Sequence, residues 1–198
     1  MRKNIETGIL FGLICAIILS VAKFDVACED LRQGVLRLHI IANSDSYEDQ
    51  QLKLKVRDQI LKNSDSIFDT ATDLETAIIC AQEKKEEIIK MSNMVLAENG
   101  KDYNALAYVG KTYFETREYD DFTLPAGEYT SLIVKLGKAE GKNWWCVVYP
   151  AVCLPAADAY LSESVSEKGT AVAKNPRKYI MRFKIVEWYE NFKTKRKK

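Results

Sequence analysis

Val35-Leu-Arg-Leu-His-Ile-Ile-Ala42 runs into Asn43-Ser-Asp-Ser46 and on into Glu48-Asp-Gln-Gln-Leu-Lys-Leu-Lys-Val-Arg-Asp-Gln-Ile-Leu-Lys62, and this stretch decides the fold. Its first part reads as a strand. Leu36, Leu38 and Ile40 fall on one face, and Val35, Arg37, His39 and Ile41 on the other. The Asn-Ser-Asp-Ser cluster is a turn whose short polar side chains bond nearby backbone and cap a helix. From Glu48 to Lys62, Leu52, Val56 and Ile60 recur every fourth residue with Leu61 beside them. Lys53, Lys55, Arg57 and Asp58 occupy the rest of that helix.

Downstream, the spacing predicts a helix from Thr72 to Glu98, opened by Thr72-Asp-Leu-Glu75 as a capping box and closed by Asn99-Gly100. Its stripe is Leu74, Ala77, Ile78, Ala81, Ile88, Met91 and Val95, with Cys80 just off it as a partly buried thiol. Three strands follow. Asn104 to Thr116 is rich in Tyr, Val, Thr and Phe. Tyr129 to Leu136 and Asn143 to Tyr149 are expected to pair as a hairpin across Gly137-Lys-Ala-Glu-Gly141, after a turn at Pro125-Ala-Gly127. Residues 155–175, poor in large apolar side chains, read as a mobile loop. Ile180 to Phe192 is a helix whose Ile185, Trp188, Tyr189 and Phe192 are expected to dock on the sheet. The order argues an α+β fold: one domain over residues 23–192, with helices packed on a mostly antiparallel sheet.

The N-terminus gives a location. Arg2 and Lys3 precede Gly8 to Ala22, 15 residues without a charge, and Lys23 and Asp25 close the run. A basic start, a short apolar core and small residues at Ser20 and Ala22 make residues 1–22 a signal peptide cut after Ala22. The alternative is an uncleaved anchor. Either way the body is exported. Lipidation at Cys28 is disfavoured, because Asp25 stands where an apolar residue is wanted.

Without Arg2, Lys3 and Glu6, the 29 basic and 28 acidic residues become 27 and 27. Residues 193–198 concentrate positive charge in a basic tail, Lys193, Lys195, Arg196, Lys197 and Lys198. Such a tail is solvated, or touches anionic lipid or wall polymer. Nucleic acid is a poor partner for an exported protein whose body is acidic.

Of the five cysteines, Cys15 lies in the leader. Cys146 and Cys153 bracket a turn-capable hexapeptide and form the candidate disulfide; two buried free thiols are the other reading. No cysteine-histidine spacing suits a structural metal, and no cofactor motif is present.

His39 is the single histidine, so every Ser-His or Cys-His mechanism must use it, with Ser44 or Cys146 as the nucleophile. A structural histidine on a strand is the simpler reading. Trp144-Trp145 lies on a strand, so one ring is expected in the core and the other outward as a contact anchor.

Three blocks together resemble the stage II sporulation protein R family. They are Leu36-Arg-Leu-His-Ile-Ile-Ala-Asn-Ser-Asp45 continuing through Asp49 to Asp58, then Leu124-Pro-Ala-Gly-Glu-Tyr129, then Gly141-Lys-Asn-Trp-Trp-Cys-Val-Val-Tyr-Pro150 with Cys153 after it. With the leader, the likeness covers most of the chain to about residue 154. Ala151 departs from it, where a second proline is expected after Pro150. The resemblance implies a signalling protein exported to the space between the forespore and mother-cell membranes. There it would activate a membrane-embedded aspartic protease of the mother cell, which processes the sigma-E precursor. It carries over no catalytic residue, so a binding protein rather than an enzyme is expected. The candidate contact residues are Asn43, Ser44, Asp45 and Asp49, or Trp144 and Trp145. A secreted His39-dependent cysteine or serine hydrolase acting on peptide or wall material is the alternative.

Overall fold

A computed structural model describes residues 2–119, 122–150 and 165–195, and within them the chain forms an α+β fold of two compact units. One comprises Gln33–Tyr113 and Glu128–Val165; the other comprises Met1–Arg32, Phe114–Gly127 and Ser166–Lys198.

The first unit is built on a four-stranded sheet. Its strands are β1 (Leu36–Ile41), β2 (Ala105–Phe114), β5 (Gly127–Leu136) and β6 (Asn143–Tyr149), in the order β2-β5-β1-β6. Two-residue strands β3 (Arg117–Glu118) and β4 (Thr123–Leu124) belong to the second unit. β1 lies parallel to β5, with Ile40 opposite Val134, and antiparallel to β6, with Leu38 opposite Cys146 and His39 opposite Trp145. The sheet is therefore mixed, and the expected hairpin does not form. β1 takes the place between β5 and β6. The physical reason lies in β1 itself. Leu36, Leu38 and Ile40 are fully buried on one face, and Arg37 and His39 are buried on the other. A strand covered on both faces belongs in the middle of a sheet.

The core lies between this sheet and four helices: α2 (Tyr47–Lys62), α3 (Ser64–Ile67), α4 (Leu74–Glu83) and α5 (Lys85–Glu98). Leu52, Val56 and Ile60 of α2 are buried, as their fourfold spacing predicts, against Leu36, Leu38 and Ile40 of β1 and Leu132 and Val134 of β5. Each such side chain stabilises the fold by about 1.5–3 kcal/mol relative to exposure.

The helix expected over Thr72–Glu98 is two helices. Its capping box is framed one residue later than expected: the Asp73 carboxylate accepts from the Thr76 amide at 2.8 Å, and Thr76 Oγ1 accepts from the Asp73 amide at 3.0 Å. The break falls at Lys84 inside Glu83-Lys-Lys-Glu-Glu87, which has no apolar side chain to hold a straight helix on the core. Asn99-Gly100 does end α5, with Gly100 in the left-handed region at φ 69°.

The loop after β5 crosses the end of β1. Gly141 donates its amide to the Ala42 carbonyl at 3.0 Å, and Glu140 donates to the Asn43 carbonyl at 3.2 Å. A Cβ at Gly141 would overlap the Ser44 carbonyl.

In the second unit, α1 (Arg2–Gln33) is a single helix whose two halves differ. Ile5 to Leu19 expose their apolar side chains, whereas Phe24, Ala27, Cys28 and Leu31 are buried. By length and composition, Ile5–Gln33 is apolar enough to cross a membrane. Arg32, also buried, donates to the Ala126 carbonyl at 3.1 Å and to Glu29 at 2.9 Å. A Cβ at Gly127 would sit 2.6 Å from Arg32 Cδ, which accounts for the glycine in Leu124-Pro-Ala-Gly127. The Arg117–Glu118 and Thr123–Leu124 strands pair antiparallel.

Two further helices close this unit, α6 (Glu167–Lys174) and α7 (Pro176–Lys195). Part of the stretch expected as loop is thus helical, capped by Ser166, whose Oγ accepts from the Gly169 amide at 3.3 Å; residues 155–164 lie outside the described ones. α7 corrects another expectation. Ile185, Trp188, Tyr189 and Phe192 are exposed, and the packed face carries Phe183, Val186 and Glu190 instead.

Replacing Gly141 with Ala forces the Ser44 backbone to move, so a loss of about 1–3 kcal/mol is expected. The denaturant midpoint of the purified chain measures it; an unchanged midpoint would show that the crossing loop gives way freely.

Candidate functional site

The first turn of α2 organises a connected set of polar side chains in the first unit. Ser46 is its N-cap, accepting the Asp49 amide at 3.2 Å. Asp49 is 4% exposed and its carboxylate is fully engaged. Oδ2 accepts from Ser44 Oγ at 2.6 Å and from Asn43 Nδ2 at 2.8 Å. Oδ1 accepts from the Tyr103 hydroxyl at 2.8 Å, with Lys101 Nζ 3.6 Å away. Burial alone would raise the Asp49 pKa, but the bonds from Ser44, Asn43 and Tyr103 and the Lys101 charge outweigh it and hold the carboxyl at about 2. The same arrangement pushes Tyr103 up, through burial first and then through its bond to Asp49. A negative charge here also lies favourably at a helix N-terminus.

The network reaches the loop after β5. Asn43 Oδ1 accepts the Lys138 amide at 3.0 Å, and Asp45 Oδ1 accepts the Lys142 amide at 2.7 Å. Lys53, buried on α2, donates to Gln50 Oε1 at 2.6 Å and to the Lys142 carbonyl at 2.9 Å. Gln50 in turn donates to the Ser44 carbonyl at 2.9 Å. Burial lowers the Lys53 pKa, while the Asp45 charge works against that shift.

The six expected contact residues therefore divide. Asn43 and Ser44 each donate to the Asp49 carboxylate. Asp45 is exposed, with one oxygen on the Lys142 amide. Trp144 and Trp145 are both half-buried on opposite faces of β6. Trp144 lies on the helix side, under the Arg57 guanidinium at 4.4 Å. Trp145 lies on the other side, edge-on to His39 at 6.0 Å.

His39 is buried, and its Nε2 lies 3.0 Å from Asn143 Oδ1. Burial, before any other cause, lowers its pKa and favours the neutral ring. Cys146 stands opposite Leu38 in register and packs in the helix-side core, so it and His39 occupy opposite faces of the sheet. The Cys146–His39 pair is not assembled. Ser44, the other candidate nucleophile, donates its hydroxyl to Asp49. Among the described residues no three His, Cys, Asp or Glu side chains gather to hold a metal. Cys15, Cys28 and Cys80 are free thiols, and Cys153 lies outside the described residues.

Lys53, Arg57, Lys101 and Tyr103 carry the site without any mark in the sequence. Their partners stand up to 89 positions away, and no local spacing signals such a meeting.

Residues 32–159 match the family described as Stage II sporulation protein R. Stage II sporulation protein R of Bacillus subtilis (strain 168) is 32% identical over 175 residues, covering 85% of this chain and 77% of that protein. No solved structure matches. The matched span takes in the Asp49 network and both tryptophans, and stops short of α6 and α7.

Because the Asp49 pKa is depressed by folding, its contribution is complete above the unfolded value of 3.8 and is lost as pH falls toward 2. That contribution is on the order of 2 kcal/mol. Asp49→Asn is expected to lower the denaturant midpoint at neutral pH and to flatten its fall between those limits. Parallel pH curves for the two proteins would remove Asp49 from this role.

Proposed function

Because the chain belongs to the stage II sporulation protein R family and so serves sporulation, we propose that it acts outside the cytoplasm as a signal. It is exported to the space between the forespore and mother-cell membranes, binds a membrane-embedded aspartic protease of the mother cell, and activates it. The sigma-E precursor is then cut. The observation that carries this reading is the family match over residues 32–159. The exposed apolar half of α1, a signal peptide or anchor, supports the export step.

Activation by binding requires only that the protein prefer the active state of its partner; the shift equals that difference in affinity. The contact surface that fits is the rim where Asp45, Lys142 and Asn143 are exposed together, beside the half-buried tryptophans of the β6 edge. Asn43, Ser44 and Asp49 stand behind this rim and fix its shape.

The test is co-expression of the full chain with the protease and the precursor in a non-sporulating host, following the precursor's size. Shortening is expected only when this chain is present and exported. An unchanged precursor, with all three proteins made and folded, overturns the reading. Asp45→Asn keeps the acceptor for the Lys142 amide and removes the charge, so it is expected to weaken processing while leaving the denaturant midpoint in place. His39→Ala is expected to retain processing in a chain that still folds; loss of processing from a folded variant would favour the hydrolase instead.

A Cys146–Cys153 bridge belongs to the same proposal, as a feature of an exported protein. Alkylation of the unfolded, unreduced chain with its leader intact is then expected to label the three free thiols Cys15, Cys28 and Cys80. Labelling of all five cysteines would rule the bridge out.

A further inference from the structure

We propose that α7 is a membrane-surface helix: Met181, Ile185, Trp188 and Phe192 rest in the interfacial layer of an anionic bilayer, beside the point where α1 enters it. These side chains are 75%, 43%, 71% and 52% exposed. Their 4-3-4 spacing puts them within an arc of roughly 60° on a helix of 3.6 residues per turn. Tyr179, Phe183, Val186 and Glu190 fall on the opposite side by the same spacing, and the last three are buried. α7 thus carries two apolar stripes, one packed and one facing out.

Three observations choose a lipid surface as the occupant. The first is continuity with α1 inside the same unit. Phe24 stacks on Tyr179 at 5.4 Å and meets Phe183 edge-on at 5.1 Å. Leu19, the last large apolar residue of the exposed run, lies five residues before Phe24, roughly 8 Å along the helix. The start of α7 is therefore held about one headgroup layer from the edge of the hydrocarbon that the exposed half of α1 would occupy. The second is charge. Pro176–Lys195 contains six Lys or Arg and two Glu, and Arg196, Lys197 and Lys198 follow in sequence. Glu190 is buried and Glu187 pairs with Lys184 at 4.0 Å, so neither acid lies along the outward stripe. Basic residues flanking an exposed apolar stripe complement anionic lipid. The third is residue type: Trp188 and Tyr189, both exposed, have an apolar body and a polar tip suited to the interface. A second copy could fill a 4-3-4 seam. It would bring Arg182 and Lys184 toward their own equivalents, which charge repulsion opposes.

The inference stands apart from the protease reading. The full chain, leader intact, is reconstituted in phosphatidylcholine vesicles containing phosphatidylglycerol, with and without brominated acyl chains, and tryptophan emission is recorded. The bromolipid is expected to quench part of the emission, and Trp188→Phe is expected to remove most of that part. Trp188 is exposed, so its replacement leaves the fold intact. Quenching that Trp188→Phe does not change overturns the proposal. Equal quenching in pure phosphatidylcholine overturns the choice of an anionic surface. Self-association in detergent that is abolished by Trp188→Phe would name a second copy as the occupant and also overturn it.

Discussion

The Asp49 carboxylate is the constraint on which the first unit depends. It gathers the loop leaving β1, the first turn of α2 and the segment entering β2, and it remains ionised while nearly sealed from water. A buried charge costs several kcal/mol unless its lone pairs are filled. Here Asn43, Ser44 and Tyr103 fill them, with the Lys101 charge beside them. Asn43 and Asp45 then carry the arrangement to the loop after β5, so the end of β1, that loop and the entry of α2 are tied by one connected set of hydrogen bonds.

The pleat of β1 and β6 sorts the remaining chemistry. Leu38, Ile40, Trp144 and Cys146 serve the helix-side core, while Arg37, His39 and Trp145 lie on the other face. Arg37 is fully buried there with its guanidinium 4.9 Å above the Tyr129 ring. Residues adjacent in the chain therefore have separate surroundings. The strand thus keeps the lone histidine and the buried cysteine on opposite faces of the sheet.

Much of this was legible. The alternation in residues 35–42, the fourfold spacing in α2 and the Asn99-Gly100 stop each express a local rule, and local rules survive folding. The sheet order was not, because nearness in sequence favours a β5–β6 hairpin and only the two-sided burial of β1 argues otherwise. The face of α7 was hidden by its own composition: with apolar residues on two sides, periodicity cannot say which side packs. The Asn43-Ser-Asp-Ser46 cluster could equally serve a cap or a partner. In the structure Asp49 is held in part by a tyrosine 54 positions further on, and no window around the cluster contains it.

α1 passes through Ala22 without a break, yet burial begins only at Phe24. Every apolar side chain that this helix gives to the core comes after the expected cut. Address and architecture are thus written in one continuous rod but are thermodynamically separable. The eleven residues from Lys23 to Gln33 are too few to hold a helix alone, and docking through Phe24, Ala27, Cys28 and Leu31 holds them instead. Removal of residues 1–22 would take away none of these buried side chains.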